Sequence, residues 1–470
     1  MKYDQIYFDG QWVRGQSTDK ISVENPVTGE EITKVVACHE EDVNRAVESS
    51  RKAFLLWREK SLEERIAPME KFYDELKKIE DDLVERVEEE LGVNKGLAYG
   101  NHVHGSIESV KTFIKIAREY PWVEERKDGD IYKEPYGVVG AMTPWNYPMG
   151  QIMKKIVPAV LGGNTVVLKP SQKTPLTAYW ITKAWDRAGF PKGILNLVPG
   201  RGSQVGNCLA SHKDVALISF TGSTKGGLEV YELASRNGKK VILEMGGKSP
   251  AILLHRDYGK KAVQSILNRL FENVGQTCSA WSRFLVPKKD LDFIKELLIE
   301  EAKSYEFGDP RRGDHIIGPL CGKDQFDKVR HFVESGVRSG ARMVYGKKEL
   351  PYEGNYKIEP VIFFDVKNDM EISQEEIFGP VLSVISYDDV DEAIEIANDT
   401  VYGLSAAVFG PEKEALKVAK KIDAGEVSIN GYMSSSNLPF GGYKLSGLGR
   451  EGGDYGFEEF LQVKAIHWNK

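Results

Sequence analysis

At 470 residues the chain is too long for a single hydrophobic core, so two or more domains are expected. The hydrophobic content of 41% with 28% charged residues is typical of globular proteins, and the net charge of −7 argues against a nucleic-acid-binding surface. Four scattered cysteines without a CxxC pair, no signal-peptide core and no membrane-length apolar window favour a cytoplasmic location and no membrane partner.

The first third of the chain has three different patterns. Residues 1 to about 35 are typical of short strands and turns, and helical periodicity then begins at Glu41 and continues as an amphipathic run over Leu62–Leu91. His102 and His104 form an HxH pair, but residues two apart on a helix point in different directions, so we assign no metal site. Residues 119–137 read as a polar hairpin with its turn at Asp128-Gly129, and we expect it to contact another subunit.

A regular alternation of strands and helices follows. Apolar strand-like runs begin at Val138, Thr165, Ile194, Leu217 and Val241, with helical stretches between them. Spacings of 23 to 29 residues between these starts are typical of βαβ units on a parallel sheet. Ligands bind beyond the carboxyl ends of such strands. The polar segments at those ends are therefore candidate binding residues: Thr143–Pro148, Lys169–Gln172, Thr221–Ser223 and Glu244.

One cysteine stands where a substrate can reach it. Cys278 lies in FENVGQTCSAWSR, between a segment of helical periodicity and a strand-like run that starts at Phe284. A thiol at such a junction is placed for nucleophilic attack. Glu244 ends a strand 34 residues upstream, and TPWNYP occupies Thr143–Pro148. These three pieces, in this order, resemble the aldehyde dehydrogenase superfamily.

The resemblance extends from Asn25-Pro26 to PFGGYK, which ends at Lys444. It implies an α/β fold with a Rossmann-like cofactor domain, an α/β catalytic domain and a small oligomerisation element. We expect the cofactor-binding domain at residues 1–118 and 138–245, the catalytic domain at 246–445, and the oligomerisation element at 119–137 and 456–470. A homodimer or homotetramer is expected from the family.

The resemblance also implies catalytic roles. Cys278 matches the nucleophile that converts a planar aldehyde into a tetrahedral adduct able to lose hydride. Asn146 matches the oxyanion donor, and Glu244 matches the general base for the hydrolytic water, a role that burial at a strand end would favour by raising its pKa. Lys155 matches a family lysine near the active site.

NAD or NADP is the implied cofactor. Lys169 matches the lysine that holds the adenosine ribose, Thr221-Gly222-Ser223 the pyrophosphate site, and Glu376 the clamp on the nicotinamide ribose. Phe378, Trp145 and Ser171 are expected near the same ligand. Gln172 stands where many NAD-using members have a glutamate, which predicts that NADP is accepted.

The implied substrate is a small-molecule aldehyde. Tyr147, Gln151, Trp281 and Phe440 are the candidate pocket residues, with the loop Met433–Leu438 at the entrance. Trp281 departs from the family pattern, which usually has a small residue three positions after the nucleophile. We therefore expect the substrate tunnel or the packing around Trp281 to differ from that of other family members.

Three other readings stay open. A CoA-acylating semialdehyde dehydrogenase would need no base for water, and such relatives generally lack the glutamate found here as Glu244. A cofactor-free thiol hydrolase would want a histidine near Cys278 and gives no reason for the nucleotide-site residues. A non-catalytic scaffold protein gives no reason for the joint presence of Cys278, Asn146, Glu244 and Glu376.

Overall fold

The computed structural model describes residues 2–313, 315–348, 350, 355–432, 435 and 437–468. Met433, Ser434 and Ser436 of the expected entrance loop, and the last two residues of the expected tail segment, lie outside this range. The strands are β1 (Gln5–Phe8), β2 (Gln11–Arg14), β3 (Lys20–Glu24), β4 (Glu31–Val36), β5 (Val123–Arg126), β6 (Gly129–Pro135), β7 (Val138–Met142), β8 (Thr165–Lys169), β9 (Leu195–Leu197), β10 (Leu217–Thr221), β11 (Lys240–Glu244), β12 (Pro250–Leu253), β13 (Arg283–Pro287), β14 (Glu306–Phe307), β15 (Ile316–Ile317), β16 (Arg342–Tyr345), β17 (Val361–Phe364), β18 (Val381–Tyr387), β19 (Ser405–Phe409), β20 (Glu426–Ile429), β21 (Gly447–Leu448) and β22 (Leu461–His467). The helices are α1 (Glu40–Trp57), α2 (Leu62–Lys78), α3 (Glu80–Leu91), α4 (Lys95–Leu97), α5 (Gly105–Glu119), α6 (Pro148–Leu161), α7 (Leu176–Ala188), α8 (Asn207–Ser211), α9 (Thr224–Ser235), α10 (Gly259–Phe271), α11 (Leu291–Ala302), α12 (Lys323–Arg338), α13 (Glu371–Gln374), α14 (Val390–Asn398), α15 (Glu412–Ala419) and α16 (Gly453–Glu458).

The first large sheet contains all five strands that the sequence alternation predicts. Its order is β2-β1-β9-β8-β7-β10-β11-β21, and the five strands from β9 to β11 are mutually parallel. From β7 the chain continues to β8 and β9 on one side of the sheet, and then crosses to β10 and β11 on the other side. The strand order therefore reverses between the neighbours β7 and β10. Such a reversal opens a crevice beyond the carboxyl ends of the strands. The segments after β7 and β10 therefore border one crevice.

The second large sheet has the order β16-β17-β18-β13-β12-β19-β20, with β16 as the antiparallel edge. Its apolar side chains form two core layers, one around Leu285 and Val381 and one around Phe284 and Val384. The chain passes from the carboxyl end of β11 to the amino end of β12 in five residues, Met245 to Ser249. This connection brings the carboxyl edge of the first sheet against the amino edge of the second.

The predicted polar hairpin and the tail strand form a third, separate sheet. β5 and β6 pair as a hairpin, and β22 pairs along the whole of β6, giving the order β22-β6-β5. The domain boundaries given above, and the role of this sheet in assembly, remain predictions.

The structure differs from expectation in the helical region before it. The amphipathic run Leu62–Leu91 is two helices, because Ile79 has φ −115° and ψ 20° and ends α2 before α3 begins. The segment Ala98–His104, which carries the HxH pair, is a π-helical turn. His104 contacts Glu80 at 2.9 Å, and the described residues contain no cluster able to hold a metal ion.

Candidate active site

Three loops meet where the two large sheets face each other. They are the β11–β12 connection, the turn before β13 that carries Cys278, and the turn before β18 that carries Glu376. Gly247 donates its backbone N–H to Glu376 Oε1 at 3.1 Å. A Cβ at Gly246 would lie 2.7 Å from Glu376 Oε2, and one at Gly247 would lie 2.6 Å from the Cys278 carbonyl oxygen. The glycine pair thus lets the connection pass between these two predicted site residues.

The turn before Cys278 has an unusual backbone. Asn273, Val274 and Gly275 have φ values of 52°, 59° and 73°, and a left-handed valine is costly by about 1–3 kcal/mol. The Asn273 side chain donates to the carbonyls of Asn146 and Gln276 at 3.0 and 3.2 Å. A Cβ at Gly275 would lie 2.2 Å from the Gly379 carbonyl carbon. Tight packing against the Glu376 turn and these hydrogen bonds hold the strained conformation.

The structure places Asn146 beside the nucleophile turn. Asn146 is almost fully buried in the loop between β7 and α6, and its Nδ2 donates to the Gln276 carbonyl at 2.9 Å. In the described part of the chain, the second Nδ2 hydrogen and the backbone N–H of Cys278 have no hydrogen-bond partner. Two donors near one thiol are the arrangement that an oxyanion requires.

The Cys278 thiol is protonated in the resting protein at neutral pH. Burial, followed by the Glu376 and Glu244 carboxylates, raises the pKa of Cys278 to about 12. Lys154 and Arg269 lower it in part. A base or a bound cation must therefore assist formation of the thiolate.

Glu244 is a buried carboxylate without a hydrogen bond. It ends β11 at 2% exposure, and neither side-chain oxygen has a partner among the residues described. Burial, followed by the Glu451 carboxylate, raises the pKa of Glu244 well above its usual range, while Lys155 acts in the opposite direction. A carboxyl group with a raised pKa holds a proton more readily than an exposed one, as a general base requires.

Lys155 is completely buried and forms an ion pair with Glu451. Its Nζ also donates to Thr221 Oγ1 at 2.8 Å, which links α6 to the carboxyl end of β10. Sequence reasoning missed Glu451, which lies in the Gly-rich segment after β21. A signal was present, because a lysine inside the apolar run of α6 needs a carboxylate partner.

The predicted cofactor residues border the crevice between β7 and β10. Trp145 packs edge-on against Phe378 with ring centroids 5.4 Å apart. Ser223 caps α9, its Oγ accepting from the Gly226 N–H at 3.2 Å, and Gly222 donates its N–H to the Glu244 carbonyl at 3.0 Å. Burial lowers the pKa of Lys169 to about 8, and its Nζ donates to the Pro170 carbonyl at 3.0 Å.

Gln172 lies at the far end of this group and is exposed. The Ser171 hydroxyl oxygen accepts from the Lys173 N–H at 3.2 Å. Gln172 lines a surface cavity together with Lys173, Arg201 and Asp324. Lys173 is paired with Asp324 at 2.6 Å, so much of its charge is already neutralised.

The four predicted substrate residues divide into two pairs. Trp281 and Phe440 line one cavity of about 490 Å³ with Arg269, Tyr432 and Leu438. Trp281 is buried, with its indole N–H 3.3 Å from Ser405 Oγ and its ring edge-on to Phe409. Gln151 lies on α6 and Tyr147 immediately precedes this helix. The Tyr147 hydroxyl contacts Thr277 Oγ1 at 2.9 Å, and its ring stacks on His102 at 4.7 Å. His102 is a further neighbour that sequence reasoning considered only as a metal ligand.

The chain is similar to known proteins over nearly its whole length. The sequence profile of the aldehyde dehydrogenase family matches residues 12–466. A protein of Staphylococcus aureus strain MSSA476 assigned to the same family is 44% identical over 467 residues, covering 99% of this chain and 98% of its own. Among solved structures, aldehyde dehydrogenase C of Pseudomonas syringae, in complex with NAD+ and octanal, is 38% identical with a TM-score of 0.96, covering 99% of this chain and 96% of that one.

An NADP-dependent enzyme of E. coli is 32% identical with a TM-score of 0.95 over 99% of this chain and 98% of that one. No helix in the described ranges is long and apolar enough to cross a membrane. The profile match over nearly the whole length, together with these close structural relatives, shows that the chain belongs to the aldehyde dehydrogenase family.

Proposed function

We propose that this chain oxidises an aldehyde to the carboxylic acid with NAD+ or NADP+, and that Cys278 carries the substrate covalently. The observation that supports this proposal best is the buried, unpartnered Glu244 carboxylate, whose charge acts directly on the Cys278 thiol. A base of this kind is needed twice, to take the thiol proton and later to activate water.

In the first step the Cys278 sulfur bonds to the aldehyde carbon, and the thiol proton passes to Glu244. The carbonyl oxygen becomes an oxyanion that accepts hydrogen bonds from the Asn146 amide and the Cys278 N–H. Hydride loss leaves a thioester, and Glu244 releases the thiol proton to solvent and becomes a carboxylate again. Water then attacks the thioester carbon while Glu244 accepts its proton. The C–S bond breaks, and Glu244 returns this proton to the Cys278 sulfur, so that the thiol and the carboxylate are both restored.

The residues present fit a dinucleotide. α9 begins directly after β10 at the crevice, and the N–H groups of its first two residues have no partner among the described residues. Lys169 supplies a buried amine at the carboxyl end of β8, and Glu376 lies on the nucleophile side. When bound, NAD+ or NADP+ accepts the hydride that the tetrahedral adduct loses. Trp145 and Phe378 would pack against the bound cofactor and exclude water.

Two other activities remain to be separated by experiment. A CoA-acylating enzyme would transfer the acyl group to a thiol and would not need a buried base such as Glu244. A cofactor-free thiol hydrolase would cleave esters without NAD(P)+. The buried Glu244 does not favour the acylating activity, and the residues that fit a dinucleotide do not favour the cofactor-free hydrolase.

The test is a panel of aldehydes with NAD+ and NADP+, followed by NAD(P)H absorbance and identification of the product. We expect NAD(P)H and the free carboxylic acid in equal amounts, without a requirement for coenzyme A. Cys278→Ala should abolish turnover while cofactor binding persists, and Cys208→Ala, outside the site, is the matched control. Undiminished NAD(P)H formation by Cys278→Ala would refute the proposal, and an acyl-CoA product would establish the acylating activity instead.

A further inference from the structure

One face of α6 connects the nucleophile turn to the cavity beside Trp281. Gln151 and Lys154 are three residues apart on α6 and so lie on one face of this helix, and Tyr147, which immediately precedes the helix, accepts the Gln151 N–H at its carbonyl oxygen at 3.1 Å. At one end the Tyr147 hydroxyl contacts Thr277, the residue before Cys278. At the other end Lys154 Nζ lies 5.0 Å from the centre of the Phe440 ring, which lines the cavity. This face therefore borders the approach to the thiol.

The face is polar, and two of its polar groups, the Gln151 amide oxygen and the Lys154 ammonium, have no hydrogen-bond partner among the described residues. Gln151 is buried, and its amide oxygen has no partner among the described residues. Lys154 is partly buried and, within the same range, forms no ion pair or hydrogen bond. Lys155, the next residue, points inward and is neutralised by Glu451. Of these two adjacent lysines, only Lys154 forms no ion pair among the described residues, although its charge lowers the pKa of the buried Glu244 carboxyl group.

A second cation, Arg269, lines the cavity itself. The Arg269 guanidinium donates to Ser279 Oγ at 2.7 Å and lies 5.8 Å from the centre of the Trp281 ring system. Its nearest paired carboxylate, Glu426, is 3.9 Å away at the limit of an ion pair, and its buried Nε has no partner in the described residues. Glu272 is a further carboxylate close enough for Arg269 to lower its pKa. Arg269 is therefore partly neutralised by a paired carboxylate, whereas Lys154 interacts with Glu244 only at a distance, without an ion pair.

Both cations also act on the thiol. Burial, Glu376 and Glu244 raise the pKa of Cys278, and Lys154 and Arg269 oppose them. Their charges thus face the reacting centre.

We propose that the substrate is an aldehyde with an anionic group, a carboxylate or a phosphate, at the end remote from the carbonyl, and that Lys154 binds this group with Gln151 beside it. This inference rests on the proposed aldehyde oxidation and specifies its substrate class. A partly desolvated ammonium without a partner is unfavourable, and a charge-assisted hydrogen bond to an anion removes that cost. An uncharged aldehyde of the same length would leave the ammonium unpaired.

The experiment compares aldehydes matched in length with and without the charge. The carboxylate arm uses 4-oxobutanoate and 5-oxopentanoate against butanal and pentanal, and the phosphate arm uses glyceraldehyde 3-phosphate against glyceraldehyde, all at saturating cofactor. We expect kcat/KM to be at least tenfold higher for the charged member of one arm, and the arm that shows the preference identifies the anion. Raised ionic strength should reduce this preference.

Variants of Lys154 test the assignment of the cation. Lys154→Met should lower the charged-to-neutral ratio of kcat/KM at least tenfold, mainly through KM, and Lys154→Arg should retain most of it. The matched control is Lys183→Met, because Lys183 lies over the Trp180 ring at 4.3 Å in the same type of contact on α7. Its ratio should equal that of the wild type.

The outcomes separate the inference from the proposed function. Turnover of neutral aldehydes with no charge preference in either arm would overturn the inference and leave aldehyde oxidation standing. An equal loss of rate on both members of a pair in Lys154→Met would show that Lys154 only activates the thiol, and would also overturn it. If no aldehyde is turned over, the proposed function fails. In that case calorimetry with Cys278→Ala tests the inference independently of turnover. It compares the affinities for 5-oxopentanoate and pentanal, and for glyceraldehyde 3-phosphate and glyceraldehyde. Equal affinities within both pairs would refute the inference.

Discussion

The Asn146 side chain donates a hydrogen bond of 2.9 Å to the carbonyl of Gln276, two residues before Cys278. Asn273 closes the connection by donating to the backbone carbonyls of both Asn146 and Gln276. The loop after β7 and the turn before β13 belong to different sheets and are 130 residues apart. The geometry of the proposed oxyanion site therefore depends on one small network of amides across the boundary between the sheets.

Replacing Asn146 should slow catalysis without preventing cofactor binding. We expect Asn146→Ala and the isosteric Asn146→Asp to lower kcat by about 10²–10³-fold, because the loss of one oxyanion donor costs about 3–4 kcal/mol. Steady-state kinetics measure this change, and an unaltered cofactor Kd verifies that the crevice is intact. A fall in kcat of less than threefold in both variants would show that Asn146 only shapes the turn.

Glu244→Gln should separate the two halves of the reaction. The neutral amide can accept a proton neither from the thiol nor from water. The thiol can still lose its proton to a base in solution, whereas water must be activated at the thioester, so thioester hydrolysis should slow more than hydride transfer and a burst of NAD(P)H should precede a slow steady state. Stopped-flow absorbance with aldehyde and cofactor in excess over the enzyme measures both phases. Equal slowing of burst and steady state would assign Glu244 to thiol deprotonation alone.

The resting thiol should react slowly with alkylating agents at neutral pH. Because the pKa of Cys278 is raised to about 12, the fraction of thiolate should increase about tenfold per pH unit between pH 7 and 10, without a plateau. Mass spectrometry of iodoacetamide-treated protein measures the rate at Cys278, with Cys278→Ala as the blank. Lys154→Met should slow this alkylation, because Lys154 lowers the pKa. A plateau below pH 8 in the cofactor-free protein would contradict this reading.

Much of the first sheet follows from the sequence, because the strand-helix alternation determines which segments lie at the carboxyl ends. Thr143–Pro148 and Thr221–Ser223 could be placed together for that reason. The pairing of Lys155 with Glu451 could not, since it joins positions 296 residues apart. The resemblance singled out Lys155, but the residues alone gave no role to Lys154, because its position beside the cavity depends on the rotation of α6 against Phe440. The break at Ile79 was missed because amphipathic periodicity continues on both sides of it.

The cofactor preference should depend on Gln172 and on the neighbouring ion pair. Gln172 carries no charge to repel a 2′-phosphate, but Asp324 holds Lys173 at 2.6 Å and adds a carboxylate to the same cavity. We expect both cofactors to be accepted. Gln172→Glu should shift selectivity toward NAD by about tenfold, which corresponds to about 1.4 kcal/mol, and Asp324→Asn should shift it toward NADP by freeing Lys173.

The measurements are kcat/KM for each cofactor and, independently of turnover, Kd from quenching of tryptophan fluorescence. Arg201 is exposed in the same cavity, so Arg201→Ala should weaken NADP binding more than NAD binding. Unchanged NAD-to-NADP ratios in all three variants would place the adenosine ribose elsewhere.

We propose that the sheet β22-β6-β5 joins subunits into a homodimer or homotetramer. β22 is an edge strand, and its side chains are exposed from Gln462 to His467. Val463 and Ile466 are 62% and 43% exposed, and an open edge with apolar side chains is a ready site for pairing with another chain. The double variant Val463→Glu, Ile466→Glu should dissociate the assembly, since burying two carboxylates at the interface is unfavourable.

Leu416→Glu is the matched control, because Leu416 is 47% exposed on α15 and far along the chain from this sheet. Sedimentation velocity measures the outcome. A wild-type protein that is monomeric and fully active, or a double variant with the assembly state of the wild type, would refute the proposal.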